Sequence, residues 1–371
     1  MSSVFFIALG IALVVITISD IFQSVLVPRP AARQLRMSAY LSLYGWQMWR
    51  AGARFFRNTA KREDYLGTFA PLLLVSLLVF WVATLIVGYG CIFYGLRDQL
   101  KGAPDFLSTL YFAGTSLLTI GYGDITPAGP IARAIALFAG ASGFGVVAIV
   151  TTYLFSILGA FQKRESFVVA FTNRAGAPPS GLEMIKLHAK YGLKSSYSSE
   201  MRAAQMWMAD VLETHIAYPV LNYFRSNHDH ISWIAVFGAL LDASTLLTTT
   251  IDLPEARGEA FITNRLGRHF VNDFGDYFDF NSGGDVGIER SEFDRAYDAL
   301  AAADVPLLPR DDAWDAFSQV RSTYANRLNE IARWWEIPPA QWISDRSLIP
   351  HHPPLKVVAA KSFTADGVSR N

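Results

Sequence analysis

Three stretches of this chain are too apolar and too long to be ordinary strands or helices of a water-soluble core. Residues 4–27, 68–94 and 130–161 are almost free of charge. Each is long enough to cross a hydrocarbon layer as a helix, which takes ~20 residues. Only 17% of the 371 residues are charged, where a soluble domain averages about 25%. The first stretch differs from a cleaved signal peptide, which has a basic start and a shorter apolar centre; a retained helix is expected. Asp20 interrupts it near one end. A carboxylate there reads either as a functional group or as a helix-interface or headgroup-level residue. The single cysteine, Cys91, lies inside an apolar run and reads as a small core hydrophobe.

Between the second and third stretches, residues 105–118 are apolar but too short to span. They suit a re-entrant helix, capped by Asp105 after Pro104, whose C-terminus points at the segment that follows. That segment, Thr119, Ile120, Gly121, Tyr122, Gly123 and Asp124, has glycine at alternate positions. Glycine reaches backbone torsions that other residues adopt only with strain. An extended strand with every carbonyl on one side alternates between mirror-related conformations, which suits this pattern. Such a row of oxygen dipoles can replace the water that a cation loses on entering a membrane. Thr119 adds a hydroxyl at the inner end and Asp124 a carboxylate at the outer end.

Basic residues set the expected orientation. Arg29, Arg33, Arg36, Arg50, Arg54, Arg57, Lys61 and Arg62 lie between the first two spans, with no acid until Glu63. The positive-inside bias places residues 28–67 in the cytoplasm, with the N-terminus outside, the re-entrant loop entering from outside and the C-terminal part cytoplasmic. Trp46, Trp49, Ala53 and Phe56 recur at helical spacing in that linker. They read as an amphipathic helix on the inner membrane surface, or else as a plain cytoplasmic helix. A voltage sensor fails because the arginines lack a long apolar background.

Residues 68–161 resemble the pore module of potassium channels, and the whole layout resembles a bacterial family often labelled two-pore-domain-like potassium channels. The resemblance implies an all-α membrane protein with a pore module (outer helix, pore helix, filter, inner helix), an additional N-terminal transmembrane helix and a helical cytoplasmic domain. Thr119, Ile120, Gly121, Tyr122 and Gly123 would form the K⁺ selectivity filter, with Asp124 at the outer mouth. Gly143 stands at a gating-glycine position, and packing is the competing reading since small residues let membrane helices approach. One filter per chain implies a homotetramer in the cell (inner) membrane, with K⁺ as the permeant ion and no cofactor. Thr115 stands where some channels carry a glutamate that pairs with the filter aspartate, and Leu118 where a second threonine is common. The expected divisions are residues 1–27, 28–67, 68–163, 164–350 and 351–371: N-terminal helix, basic linker, pore, helical cytoplasmic domain and disordered tail. The alternatives are a potassium transporter subunit, and a non-conducting or weakly selective membrane-anchored regulatory protein with a helical signalling domain.

The C-terminal part holds no nucleotide fingerprint. It reads as helices over 180–192, 198–226, 230–252, 255–280, 289–303 and 310–336, with Ser291 capping the fifth. Residues 231–252 are nearly long enough for a fourth crossing, but Asp242 at their centre favours a buried core helix. His228-Asp229-His230 reads as a turn, not a metal site. The stretch from Asp279 to Asp285 lacks the acid a calcium loop needs at its twelfth place, which is Arg290. Zero formal net charge gives no argument for nucleic acid, and no spacing of nucleophile and base suggests an enzyme.

Overall fold

A computed structural model describes residues 2–25, 27, 37–102, 105–227, 231–278, 280 and 286–342. Pro104, Arg29, Arg33, Arg36, the stretches 228–230 and 281–285, Asp279 and the 351–371 tail lie outside the described residues. The described residues are all-α apart from one two-stranded pairing of Leu100–Lys101 with Thr126–Pro127 and a single antiparallel bridge between Ile251 and Leu307. In chain order the first six helices are α1 (Ser2–Val25), α2 (Met37–Ala53), α3 (Thr59–Gly67), α4 (Phe69–Gly95), α5 (Phe106–Leu117) and α6 (Pro130–Ala175). Three helical stretches are long and apolar enough to cross a membrane: Ser3–Val25, Thr59–Gly95 and Pro130–Ala175.

Helix α1 lies along α4 because glycine lets the two backbones approach. A Cβ at Gly10 would overlap the Gly88 carbonyl oxygen, and one at Gly88 would come within 2.9 Å of Val14. Asp20 closes the lower end of this pair. It is buried, and it accepts hydrogen bonds from Trp81 Nε1 at 2.7 Å and the Ser38 hydroxyl at 3.1 Å. The carboxylate thus joins α1, α4 and the first turn of α2. Of the two sequence readings, helix interface is the one these partners fill.

In the linker, Trp46 and Ala53 are buried against protein instead of facing a lipid surface. The Trp46 ring meets Phe69 and Tyr223, and Trp49 stacks on Tyr65. Tyr40, Tyr44 and Met48 are large exposed apolar residues of α2, and Phe56, past the helix end, is exposed too. Trp46, Trp49 and Ala53 therefore dock inward, while the expected helical stripe does not reach Phe56. A second linker helix, α3, is capped by Asn58, whose side chain accepts from the Lys61 N–H.

Helix α6 extends well past the expected end at residue 161, reaching ~69 Å for its 46 residues. The apolar run stops at Gln162, but Arg164, Val168, Phe171 and Ala175 continue a buried helical stripe. Beyond it come α7 (Gly181–Lys190), α8 (Tyr197–Ala217), α9 (Trp233–Thr249), α10 (Pro254–Tyr277), α11 (Arg290–Ala301), α12 (Arg310–Arg321) and α13 (Ala325–Trp334). Helix α9 is the axis of this body, and all but one of its residues are buried. Asp242 at its centre accepts from Arg321 Nε at 3.0 Å and from the Tyr324 hydroxyl at 2.7 Å. Burial raises its carboxyl above the ordinary range, while Arg321 and Tyr324 pull the other way. Stripped of those partners in lipid, the carboxylate would be costly.

Three details differ from the sequence reading of this body. The expected helix over 198–226 stops at Ala217, because Pro219 cannot continue it and the chain turns through a short 3-10 segment at Pro219–Tyr223. Residues 310–336 form two helices, because the chain turns at Ser322–Tyr324 to bring both Arg321 and Tyr324 onto Asp242. Helix α11 starts on a capping box of Glu289 and Glu292, so Ser291 lies inside the helix and caps nothing.

Candidate functional site

Helix α5 is short, twelve residues, and starts on the predicted cap: the Asp105 carboxylate accepts the Ser108 N–H at 2.7 Å. It is wedged between the other membrane helices by Phe112 on Phe93 at 4.8 Å between ring centres, and by Leu110 on the bare backbone of Gly90. Its C-terminal end packs on α6 at Gly143. A Cβ there would overlap the Leu117 carbonyl oxygen, so only glycine allows this approach. Helix α6 runs through Gly143 without a break. At Gly145 a Cβ would meet nothing within 4 Å.

The chain leaves α5 as a tight hook. Thr119 N–H donates to Ser116 O at 3.1 Å, and the Ile120 and Gly121 amides both donate to Thr115 O, at 2.8 and 3.2 Å. From there φ alternates in sign. Thr119 lies at φ 57°, Gly121 at 58° and Gly123 at 86°, while Ile120 and Tyr122 between them keep negative φ. Such alternation turns successive carbonyls toward one side. Gly121 and Gly123 were legible as the positions needing freedom. Thr119 was not, because a β-branched residue at positive φ is an outlier that no sequence pattern announces. Its conformation costs ~1–2 kcal/mol and its hydroxyl donates to Leu118 O at 2.7 Å.

The far end of the hook is held from the α5 side. The Tyr111 hydroxyl lies near the Asp124 carboxylate, and the Tyr111 ring stacks on Tyr122 with ring centres 6.5 Å apart. Thr115 turns its hydroxyl back to Phe112 O and makes no side-chain bond to Asp124 among those described. Sequence reading named Thr115 and Asp124 but missed Tyr111, four residues earlier on the same helix face.

Residues 118–124 are exposed in the isolated chain, Tyr122 at 71% and Ile120 at 49%. Beside them a hollow of about 430 Å³ opens between Thr115, Thr119, Gly121 and Leu137 of α6. Leu137, Phe138 and Phe144 are each more than two-thirds exposed. Non-helical backbone at membrane depth is tolerated only where protein or a water-filled path surrounds it, and one chain supplies neither on this side. Among the described residues, no three metal-ligating side chains converge.

The lower end of α6 is fixed in the helical body. Arg164 is buried and donates to Leu221 O at 3.1 Å and Phe224 O at 2.9 Å, with Glu165 Oε1 at 2.9 Å. A further partner is the buried His215, Nε2 lying 3.1 Å from Arg164 Nη1. His215 holds Nδ1 2.8 Å from Val211 O, so the neutral tautomer with the proton on Nδ1 satisfies both bonds. Burial, and then the Arg164 charge, keep this imidazole well below its ordinary pKa.

Comparison with known proteins gives two matches. Residues 76–160, from α4 through the hook to α6, match the family described as "Ion channel". The chain is 25% identical over 211 residues to the "Uncharacterized membrane protein YdjJ" of Bacillus subtilis, an alignment that covers 55% of this chain and 59% of that protein. The chain therefore spans rather more than half the length of this curated relative. No solved structure matches.

Proposed function

We propose that this chain, a membrane protein with an ion-channel domain, is the subunit of a potassium-selective channel in which four copies surround one axis. The observation that carries the reading is the alternation of φ at Thr119, Gly121 and Gly123 at the C-terminal end of a half-length helix. In this reading Thr119, Ile120, Gly121, Tyr122 and Gly123 supply the oxygens that replace the ion's water, and neighbouring ions loosen one another. The negative end of the α5 dipole faces the ions, and Asp124, steadied by Tyr111, holds the outer mouth. The excess of basic residues in the α2–α3 linker supports a cytoplasmic linker and helical body, with the N-terminus outside. Gly143, whose glycine is already required by the Leu117 contact, acts in this reading first as a packing position, and a hinge role needs a separate demonstration.

Purified protein in liposomes tests this. A potassium gradient is expected to drive efflux that sodium cannot replace, and Gly121→Ala is expected to abolish it while leaving assembly intact. The substituted Cβ meets nothing within 4 Å in the chain, yet φ 58° is strained for alanine, so the effect acts through the backbone. Sodium flux equal to potassium, or unchanged selective flux in the variant, refutes the assignment. No flux under any condition favours a membrane-anchored regulatory protein.

A further inference from the structure

Where α3, the lower end of α6 and the helical body meet, the structure encloses a cavity of about 380 Å³, within the size range of small-molecule sites. Its apolar walls are aromatic: Trp46, Phe161, Tyr223, Phe224, Trp233 and Trp335. Three charged residues line it, Glu63, Asp64 and Arg225, leaving one negative charge in excess. Arg225 is spent on protein: it donates to Glu63 at 2.7 Å, Trp335 O at 2.7 Å and Glu336 O at 3.1 Å. An anionic ligand would have to break those bonds. Asp64 is exposed, and no ion pair to it is found among the described residues. Three buried polar atoms of wall residues make no hydrogen bond among the described residues: Asn222 Oδ1, an acceptor, Ser226 Oγ, which can accept or donate, and Trp335 Nε1, a donor.

We infer that this cavity binds an organic ammonium group carried on a small apolar or aromatic body. Asp64 attracts the charge, Asn222 offers an acceptor for its N–H, and the aromatic rings take the apolar part and favour a cation at their faces. The walls come from the linker, the inner helix and the helical body together, so an occupant bridges all three. The ammonium could be that of a free amine or of an ethanolamine lipid headgroup, since Pro71 and Leu158 in the wall belong to the membrane helices. The inference does not depend on what the pore conducts.

The test is calorimetric titration and thermal unfolding of the full chain in detergent with phenethylammonium chloride, against its neutral counterpart 2-phenylethanol. Saturable binding of the ammonium alone is expected, with a rise in Tm by linkage. At Gly67, on the rim, an added Cβ would meet nothing within 4 Å, so Gly67→Phe is expected to fold normally and abolish binding. Asp64→Asn is expected to weaken it ~3-fold, the scale of an exposed charge pair. In nanodiscs, competition by phosphatidylethanolamine over phosphatidylglycerol identifies the headgroup as the source, and equal binding in both identifies a free amine. Equal effects of amine and alcohol, absence of saturable binding, or unchanged binding in a folded Gly67→Phe protein would overturn the inference.

Discussion

At the scale of single residues, the side chains that matter most are polar groups buried with partners from distant parts of the chain. His215 is the clearest. It is neutral because the surrounding body excludes water and because Arg164 already puts a fixed positive charge 3.1 Å away. The sign of its pH effect follows. An imidazole whose folded pKa is depressed contributes stability that is fully present above the ordinary value of 6.5. That contribution is lost as pH falls, because the unfolded chain takes up a proton that the folded chain refuses. Thermal unfolding of the purified protein should therefore show declining stability from pH 7 toward pH 5. His215→Gln, which can still accept from Arg164, should flatten that slope by up to ~1.4 kcal/mol per pH unit. A slope identical in both proteins would mean that His215 titrates normally and that the Arg164 contact is not made in solution.

At the scale of elements, Gly143 and Gly145 of α6 separate packing from bending. Gly143 touches the end of α5 so closely that any side chain must displace the Leu117 carbonyl, whereas Gly145 faces open space. Gly143→Ala is expected to lower thermal stability by ~1–3 kcal/mol, as overpacking does, and to disturb the hook at Thr119. Gly145→Ala is expected to leave stability unchanged or improved, since alanine is the better helix former. If Gly143→Ala proved silent in stability but altered channel opening, the hinge reading would gain at the expense of packing. The same contrast shows what a sequence makes visible. The apolar runs, the Asp105 cap, the half-length α5 and the glycines of the hook were legible, since each is a local demand of length, capping or torsion. The continuation of α6 to Ala175 was hidden because hydropathy stops at Gln162 while the buried spacing does not. The break between α12 and α13 carries no proline or glycine; it exists to deliver Arg321 and Tyr324 to Asp242, and such a requirement is visible only in three dimensions. The inward docking of Trp46 was equally concealed, since an apolar stripe on a helix does not say whether lipid or protein will cover it.

At the scale of the whole molecule, the chain is bound to itself at two joints and open at a third surface. Arg164 seats α6 in the body. The linker is fastened separately: Glu336 pairs with both Arg50 and Arg62, and Trp46 Nε1 donates to Trp334 O at 3.0 Å. A displacement of the body would thus be felt by the inner helix and by the outer-helix side at once. The open surface is the one carrying the hook. Its exposed strand and the apolar face of Leu137, Phe138 and Phe144 would together present unpaired backbone and bulky side chains to lipid. Apolar side chains tolerate lipid, but irregular backbone does not, so in the proposed reading further copies cover it, and a ring of backbone oxygens around one ion needs the same covering. Four copies satisfy both demands in the reading proposed above. The purified complex, with detergent mass subtracted in light scattering or native mass spectrometry, is therefore expected at four times the 41.1 kDa of one chain. Two copies would leave half of each hook facing lipid, so a stable dimer or monomer that still carried selective potassium flux would contradict the oxygen-ring argument at its root.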